Sequence, residues 1–259
     1  NVPPFVVERL RRFDGTVAWR DMLALDRVPG PLTQGADDLA VMPYTSGTTG
    51  HPKGCMHTHR SVMSTLVGGV DWFQRTQDSV FLTVLPLFHV TGLSGSMNGP
   101  LYAGGTVVVL PRWDRDTAAL CVQRYRINTF QAITTMLVDF LSNPRLGEYD
   151  LSSLRVVRGG GAAMPAAVAA KLFALTGQHY IEGYGMSENF CYSHFSIPGR
   201  SRVGYVGSSA VGVDTKLSEQ GEILVKSPAN MIGYYKEPQM SKEAFTEDGY
   251  LRTGDRGEV

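Results

Sequence analysis

An α/β fold is predicted: a mostly parallel sheet layered with helices, followed by a small β-rich subdomain. Three observations predict it. Strand-like and helix-like stretches alternate from about residue 37 to 188. Glycines cluster at 47–50, 68–69, 104–105, 159–161 and 183–185, several of them where strands should end. After Arg202 the texture changes to short strands between turns without helical spacing. The expected division is an α/β core over 1–205, incomplete on its N-terminal side, and a β-rich subdomain over 206–259.

The elements follow in order. Residues 5–24 read as a short helix-rich lead-in and VPGPLTQG (28–35) as a loop. DDLAVMPY (37–44) reads as a short apolar strand and HTHRSVMSTLVGGVDWF (57–73) as a helix. SVFLTVLP (79–86) is apolar and β-rich, and 87–104 reads as loop and helix. GTVVVLP (105–111) has the pattern of a buried strand bounded by Gly and Pro. DRDTAALCVQRYR (114–126) opens with Asp and spaces its apolar residues helically. A strand (128–134) and a helix stopped by Pro144 come next. LRVVRGGGAAMP (154–165) is strand then glycine loop, with Pro165 opening a helix. QHYIEGYGMSE (178–188) is again strand then loop. No internal repeat appears.

Composition excludes several classes. Lys+Arg and Asp+Glu are both 24, so there is no basic field for nucleic acid and no acidic tail. Hydrophobic residues make up 43% and charged residues 19%, as in soluble globular proteins. No apolar run reaches the ~18 residues of a membrane helix. The three cysteines (55, 121, 191) lie far apart without a CxxC pair, which points to a reducing, cytoplasmic compartment. The chain does not begin with Met, and a fragment of a longer protein is expected.

YTSGTTGHPKG (44–54) carries the chemistry. A Gly-rich loop between a strand and a helix presents backbone N–H groups, and the helix N-terminus adds a positive dipole end. The hydroxyls of Thr45, Ser46, Thr48 and Thr49 can donate to phosphate oxygens, and Lys53 supplies a mobile charge. This is not a Walker motif, because Lys53 precedes Gly54 rather than Ser or Thr. A P-loop ATPase or kinase is therefore disfavoured.

This loop resembles the phosphate-loop signature of the adenylate-forming (AMP-binding) superfamily, and most closely its acyl-CoA synthetase branch. Five further segments resemble that family's motifs in the same order: LPLFHVTGL (85–93), GGGAAMP (159–165), GYGMSE (183–188), GEILVKSPANMIGYY (221–235) and GYLRTGD (249–255). The resemblance implies an ATP- and AMP-binding set of Thr45, Ser46, Gly47, Thr48, Thr49, Gly50, Lys53, Gly160, Gly161, Ala162, Glu182, Gly183, Tyr184, Gly185, Met186, Ser187 and Asp255. Tyr184 would pack on adenine, and Asp255 would accept from the ribose hydroxyls. Glu188 and Thr45 would hold Mg2+, which uses one or two carboxylates and phosphate oxygens. Lys53, Thr45, Glu188 and His89 would be the catalytic set.

His89, Thr91, Gly92, Leu93, Gly161 and Met186 would form the acid pocket. His89 is expected to position rather than deprotonate, because a carboxylate is already ionised near neutrality. The small side chains after His89 leave room for a medium- or long-chain fatty acid, with aryl acids of coumarate or benzoate type second. No Asp stands there to grip an amino group. Phe190, bulky after Ser-Glu-Asn, is expected to narrow the pocket. ATP, Mg2+ and CoA are the implied cofactors.

The resemblance also implies a C-terminal lid carrying a further catalytic lysine, absent from this chain. An isolated fragment is then expected to be inactive or weakly active and, with its sheet incompletely covered, prone to self-association such as a homodimer. The competing reading is a non-catalytic nucleotide-binding module.

Overall fold

The computed structural model describes residues 19–28, 30–45 and 51–259. Residues 1–35 and 36–259 are two separate units. In the first, helix α1 spans Trp19–Leu23 and closes with turns from Leu25 to Met22 and from Asp26 to Leu23. The rest of the expected lead-in helix, 5–18, lies outside the described residues.

The second unit is built on a seven-stranded sheet. Its strands are β4 (Val80–Thr83), β5 (Thr106–Val109), β6 (Thr129–Gln131), β7 (Val156–Gly160), β8 (Tyr180–Tyr184), β9 (His194–Phe195) and β10 (Ser208–Ser209), in the order β10-β9-β8-β7-β6-β4-β5. The five strands from β5 to β8 run parallel, and β9 and β10 are added antiparallel. The α/β expectation therefore holds. One sheet face packs Leu82, Phe130 and Val157 against α4 (Arg115–Tyr125), α5 (Thr134–Ser142) and α6 (Ala166–Thr176). The opposite face carries Phe81, Arg158 and Ile181, against α2 (His59–Phe73) and a π-helix at Thr91–Asn98 that runs into α3 (Gly99–Tyr102). Side chains alternate along a strand, so consecutive residues such as Val157 and Arg158 serve opposite layers.

Helix ends follow their sequence signals. Asp114 caps α4 by accepting from the Thr117 N–H at 2.7 Å. Thr58 caps α2 by accepting from the Ser61 N–H at 3.2 Å. Gly177, left-handed at φ 69°, closes α6.

Two expectations are corrected here. The expected helix over 57–73 does not follow the loop directly: it begins at His59, after a strand. Lys53–Thr58 forms strand β3, which pairs antiparallel with both β1 (Leu39–Val41) and β2 (Tyr44–Thr45). KGCMHT has no clean apolar alternation, so the strand is silent in sequence. Strands β2 and β3, on either side of residues 46–52, thus form an antiparallel pair outside the parallel sheet. The second correction concerns TVVV (106–109), which is an edge strand and not a buried one: Val109 is 63% exposed.

The C-terminal part divides less simply than expected. Ser208–Ser209, beyond the expected boundary at 205/206, still belongs to the large sheet. A three-stranded sheet follows: β11 (Asp214–Leu217), β12 (Glu222–Lys226) and β14 (Leu251–Arg256). Between its last two strands, β13 (Gly233–Tyr234) leaves to pair with β3, and α7 (Pro238–Glu243) follows it. The segment after 209 is therefore tied to strand β3. Cys55, Cys121 and Cys191 are free thiols. No helix among the described residues is long and apolar enough to cross a membrane.

Candidate active site

The β3–β13 pairing brings three expected residues together. Thr45 faces Lys53 in the β2–β3 register, and Tyr234 sits beside Cys55 on β13. Lys53 Nζ lies 4.5 Å above the Tyr234 ring centroid, a cation–π contact. The Tyr234 hydroxyl donates to Glu188 Oε1 at 2.8 Å. Burial, with the Glu188 carboxylate beside it, pushes the Tyr234 hydroxyl well above its ordinary pKa, so it remains a donor. The Thr45 hydroxyl is buried with no hydrogen-bond partner among the described residues. Ser46, Gly47, Thr48, Thr49 and Gly50 lie outside the described residues.

Glu188 belongs to a short 3-10 turn, Ser187–Asn189, after β8. Three bonds hold that turn. Met231 N–H donates to the Glu188 carbonyl at 2.7 Å, Met186 N–H donates to Asn189 Oδ1 at 2.9 Å, and His57 Nε2 meets the Ser187 carbonyl at 2.8 Å. A carbonyl only accepts, so His57 carries its hydrogen on Nε2. Burial holds the His57 pKa down at about 4, partly offset by that carbonyl. Phe190 and Cys191 then take positive φ, 51° and 108°. For non-glycine residues this is strained backbone. It turns Phe190 inward, where it is fully buried and packs on the His57 ring at 5.0 Å. Phe190 therefore does not narrow the acid pocket.

A cavity of about 420 Å³ adjoins this turn. It is lined by Gly160, Gly161, Gly185, Met186 and Ser187, from the two glycine motifs. His89, Thr91, Cys191 and Tyr192 also line it. Gly160 and Gly183 are register partners on β7 and β8, and the Tyr192 ring fills the space their missing side chains leave. A Cβ on Gly160 would stand 2.9 Å from Tyr192 Cε1, and one on Gly183 2.8 Å from Tyr192 Cδ1. His89 Nδ1 accepts the Thr91 N–H at 3.1 Å, so its hydrogen is on Nε2.

Other expected residues stand elsewhere. Gly92 and Leu93 do not line the cavity. Gly92 lets the π-helix approach Pro86, whose carbonyl oxygen would be 2.1 Å from a Cβ there, and Leu93 packs with Val90 and Phe190. Glu182 is buried on β8, where Oε1 accepts from the Met164 N–H at 2.7 Å and pins the glycine loop. Ala162 is exposed, and its carbonyl accepts from the Thr134 hydroxyl at 3.0 Å. Tyr184 donates to Asp255 Oδ2 at 2.7 Å, which brings the GYGMSE and TGD motifs into contact. Burial raises the Tyr184 pKa, and the Asp255 charge adds to that. Sequence reading missed His57, Cys191, Tyr192 and Tyr234. Tyr234 lay inside a recognised motif without a role, and the positive-φ pair that aims Tyr192 leaves no sequence signal.

The donor set suits Mg2+. Glu188 keeps Oε2 without a protein partner among the described residues, and the Thr45 oxygen is unpartnered. No cluster of three His, Cys, Asp or Glu residues that could hold a metal ion exists among the described residues.

Comparison with known proteins agrees with this geometry. The family described as AMP-binding enzyme matches residues 8–235. The chain is 32% identical to 4-coumarate–CoA ligase 3 of Oryza sativa subsp. japonica, over 95% of this chain and 48% of that protein. It is 33% identical to a long-chain-fatty-acid–CoA ligase of Bacillus subtilis, over 85% of this chain and 42% of that protein. A malonyl-CoA ligase structure, a ternary product complex with methylmalonyl-CoA and AMP, superposes with a TM-score of 0.79 at 34% identity, covering 87% of this chain and 51% of that one. The chain thus spans about half the length of the relatives it matches.

Proposed function

The chain belongs to the AMP-binding enzymes, and from that we propose that it serves the ATP-dependent activation of a carboxylic acid, followed by thioester formation with CoA. The observation that carries the reading is that Tyr234 holds Lys53 and Glu188 together, with Thr45 opposite Lys53 in the strand register, next to a cavity that His89 lines. Its relatives include ligases of coumarate and of long-chain fatty acids. Fatty and aryl acids are accordingly the two substrate classes. Three free thiols support a cytoplasmic location.

In the first half-reaction a carboxylate oxygen attacks the α-phosphorus of ATP. The new O–P bond forms as the bond to pyrophosphate breaks. The Lys53 ammonium balances charge on the departing phosphates, and the Thr45 hydroxyl donates to a phosphate oxygen. Glu188 and Thr45 would hold Mg2+. The ion, when bound, neutralises phosphate charge. Tyr234 keeps the Glu188 carboxylate and the Lys53 ammonium in fixed relation. The His89 Nε2–H orients the acid, and Asp255 accepts from the ribose hydroxyls. In the second half-reaction the CoA sulfur attacks the acyl carbon and AMP leaves.

Acid-dependent exchange of labelled pyrophosphate into ATP tests this, run on the chain and on the natural protein that carries it. Exchange that requires an acid, and disappears in Lys53→Ala and Glu188→Ala, is expected. Nucleotide binding without exchange for any acid would overturn the reading in favour of a binding module.

A further inference from the structure

We propose that Gln131 and Arg158, a buried polar pair on the sheet face beneath the π-helix, are positioning residues for His89: they fix Thr91, whose N–H holds the imidazole as its Nε2–H tautomer. This rests on the acid-binding reading above, in which that Nε2–H orients the carboxylate, and adds the residues that aim it.

Gln131 on β6 and Arg158 on β7 are register partners, 2% and 3% exposed. Arg158 Nη2 donates to Gln131 Oε1 at 2.6 Å and to the Gly95 carbonyl at 3.2 Å. Gln131 Nε2 donates to the Thr91 carbonyl at 3.1 Å. These two partners fix the amide's orientation. A guanidinium only donates and a carbonyl only accepts, so Oε1 faces Arg158 and Nε2 faces Thr91. Gly95 admits the amide: a Cβ there would stand 2.2 Å from Gln131 Oε1. The Arg158 guanidinium stacks 4.4 Å from the Phe73 ring centroid, and its Nε is buried without an acceptor among the described residues. A buried charge and a buried amide are costly compared with two aliphatic side chains. In return the pair grips two carbonyls of the π-helix, those of Thr91 and Gly95. Wide helical turns of this kind gather at functional sites.

The grip passes to the cavity through one residue. Thr91 opens the π-helix and lines the cavity. Its carbonyl accepts from Gln131, and its N–H donates to His89 Nδ1 at 3.1 Å. His89 lines the cavity too but is exposed, and the Thr91 N–H is its ring's hydrogen-bond partner among the described residues. An exposed imidazole otherwise samples several rotamers. The bond on Nδ1 selects one orientation and leaves the hydrogen on Nε2. With Thr91 anchored by Gln131, and Gln131 by Arg158, that bond points one way before an acid arrives, as a pre-organised site requires.

NMR of the natural protein that carries the chain, labelled with 15N-histidine and held at alkaline pH, reads the His89 tautomer; loss of the signals in His89→Ala assigns them. The wild type should show one species, with Nδ1 as acceptor and Nε2 protonated. Gln131→Met deletes the link and should move both ring nitrogens towards a mixed tautomer. Gln131→Glu keeps an acceptor for Arg158 but has no donor for Thr91, so it should follow Gln131→Met, and it is the second variant should the first not fold. Arg158→Met leaves the amide unanchored and should give a smaller change in the same direction. Acid-dependent pyrophosphate exchange gives the second readout. Gln131→Met should raise the KM for acid about tenfold, the worth of one buried hydrogen bond, with the KM for ATP unchanged. It should add nothing in the His89→Ala background, because residues acting through one another are not additive. Wild-type ring signals in either Gln131 variant would overturn the proposal, as would additive losses in the double variant. Arg158→Met matching the wild type would strike Arg158 from it. No exchange by the wild type with any acid sinks the adenylation reading alone, and the ring signals still decide the positioning.

Discussion

Tyr234 donates to Glu188 across 2.8 Å while its ring face carries the Lys53 ammonium 4.5 Å away. One side chain thus fixes the spacing between the carboxylate and the cation of the candidate phosphate site. Tyr234→Phe keeps the ring and deletes the hydrogen bond. It should cost about 1–2 kcal/mol in urea unfolding and lower pyrophosphate exchange. Tyr234→Leu, which also releases Lys53, should lower exchange further. Unchanged exchange in both variants would contradict this role.

The Tyr184 hydroxyl donates to Asp255 Oδ2 at 2.7 Å. A ribose that uses the same carboxylate has to share it or displace the phenol. Asp255→Ala should weaken AMP binding about tenfold or more, as loss of a charged acceptor does. Tyr184→Phe frees the carboxylate but retains the ring, so AMP affinity should hold or rise slightly. A parallel loss in both variants by calorimetry would mean that the tyrosine hydroxyl itself binds nucleotide.

His57 makes stability pH-dependent. Its pKa is about 4 in the folded chain, against an ordinary value near 6.5 when unfolded. As pH falls, the unfolded chain takes up the proton first. Stability present above about pH 6.5 is therefore lost as pH falls towards 4, by about 3 kcal/mol in full. Burial lowers the His194 pKa too, so the wild-type slope contains both residues. His57→Gln keeps a donor for the Ser187 carbonyl and should flatten the slope between pH 6.5 and 4. An identical slope in the variant would exclude His57 as its source.

Two neighbouring glycines should respond differently to alanine. At Gly160 a Cβ would stand 2.2 Å from the Gly183 carbonyl oxygen and 2.9 Å from Tyr192 Cε1. Gly160→Ala should destabilise by about 2–3 kcal/mol through overpacking and displace the cavity wall. At Gly161 a Cβ meets nothing within 4 Å, but φ is +85°. Gly161→Ala should cost about 1 kcal/mol through backbone conformation alone. Thermal unfolding of the pair checks the order.

Much of this was legible in sequence where a local signal carried it. Asp114 and Pro144 mark helix ends through chemistry confined to a few residues, and the parallel strands followed from apolar runs between glycines and prolines. The β3 strand was not legible, because its partners Leu39, Tyr44 and Gly233 are supplied from both ends of the chain. Val109 read as buried because an edge strand and a central one share the same apolar run until the sheet order is known. The site was legible as motifs but not as contacts. Nothing in GEILVKSPANMIGYY says that Tyr234 reaches Glu188, and nothing in NFCYSHF says that two positive-φ residues bury Phe190 and aim Tyr192 at the cavity.

Oxygen tracing tests the central claim most directly. Both carboxylate oxygens of the acid are labelled with 18O, ATP and CoA are supplied, and the AMP is analysed by mass spectrometry. Acyl adenylation leaves one acid-derived oxygen on the AMP, because the carboxylate attacked phosphorus and the thiol later attacked carbon. AMP carrying one 18O, formed only with acid present and lost in Lys53→Ala, is the expected result. Unlabelled AMP or ADP formed at the same rate without acid would contradict it, and would make the site one that hydrolyses nucleotide without activating a carboxylate.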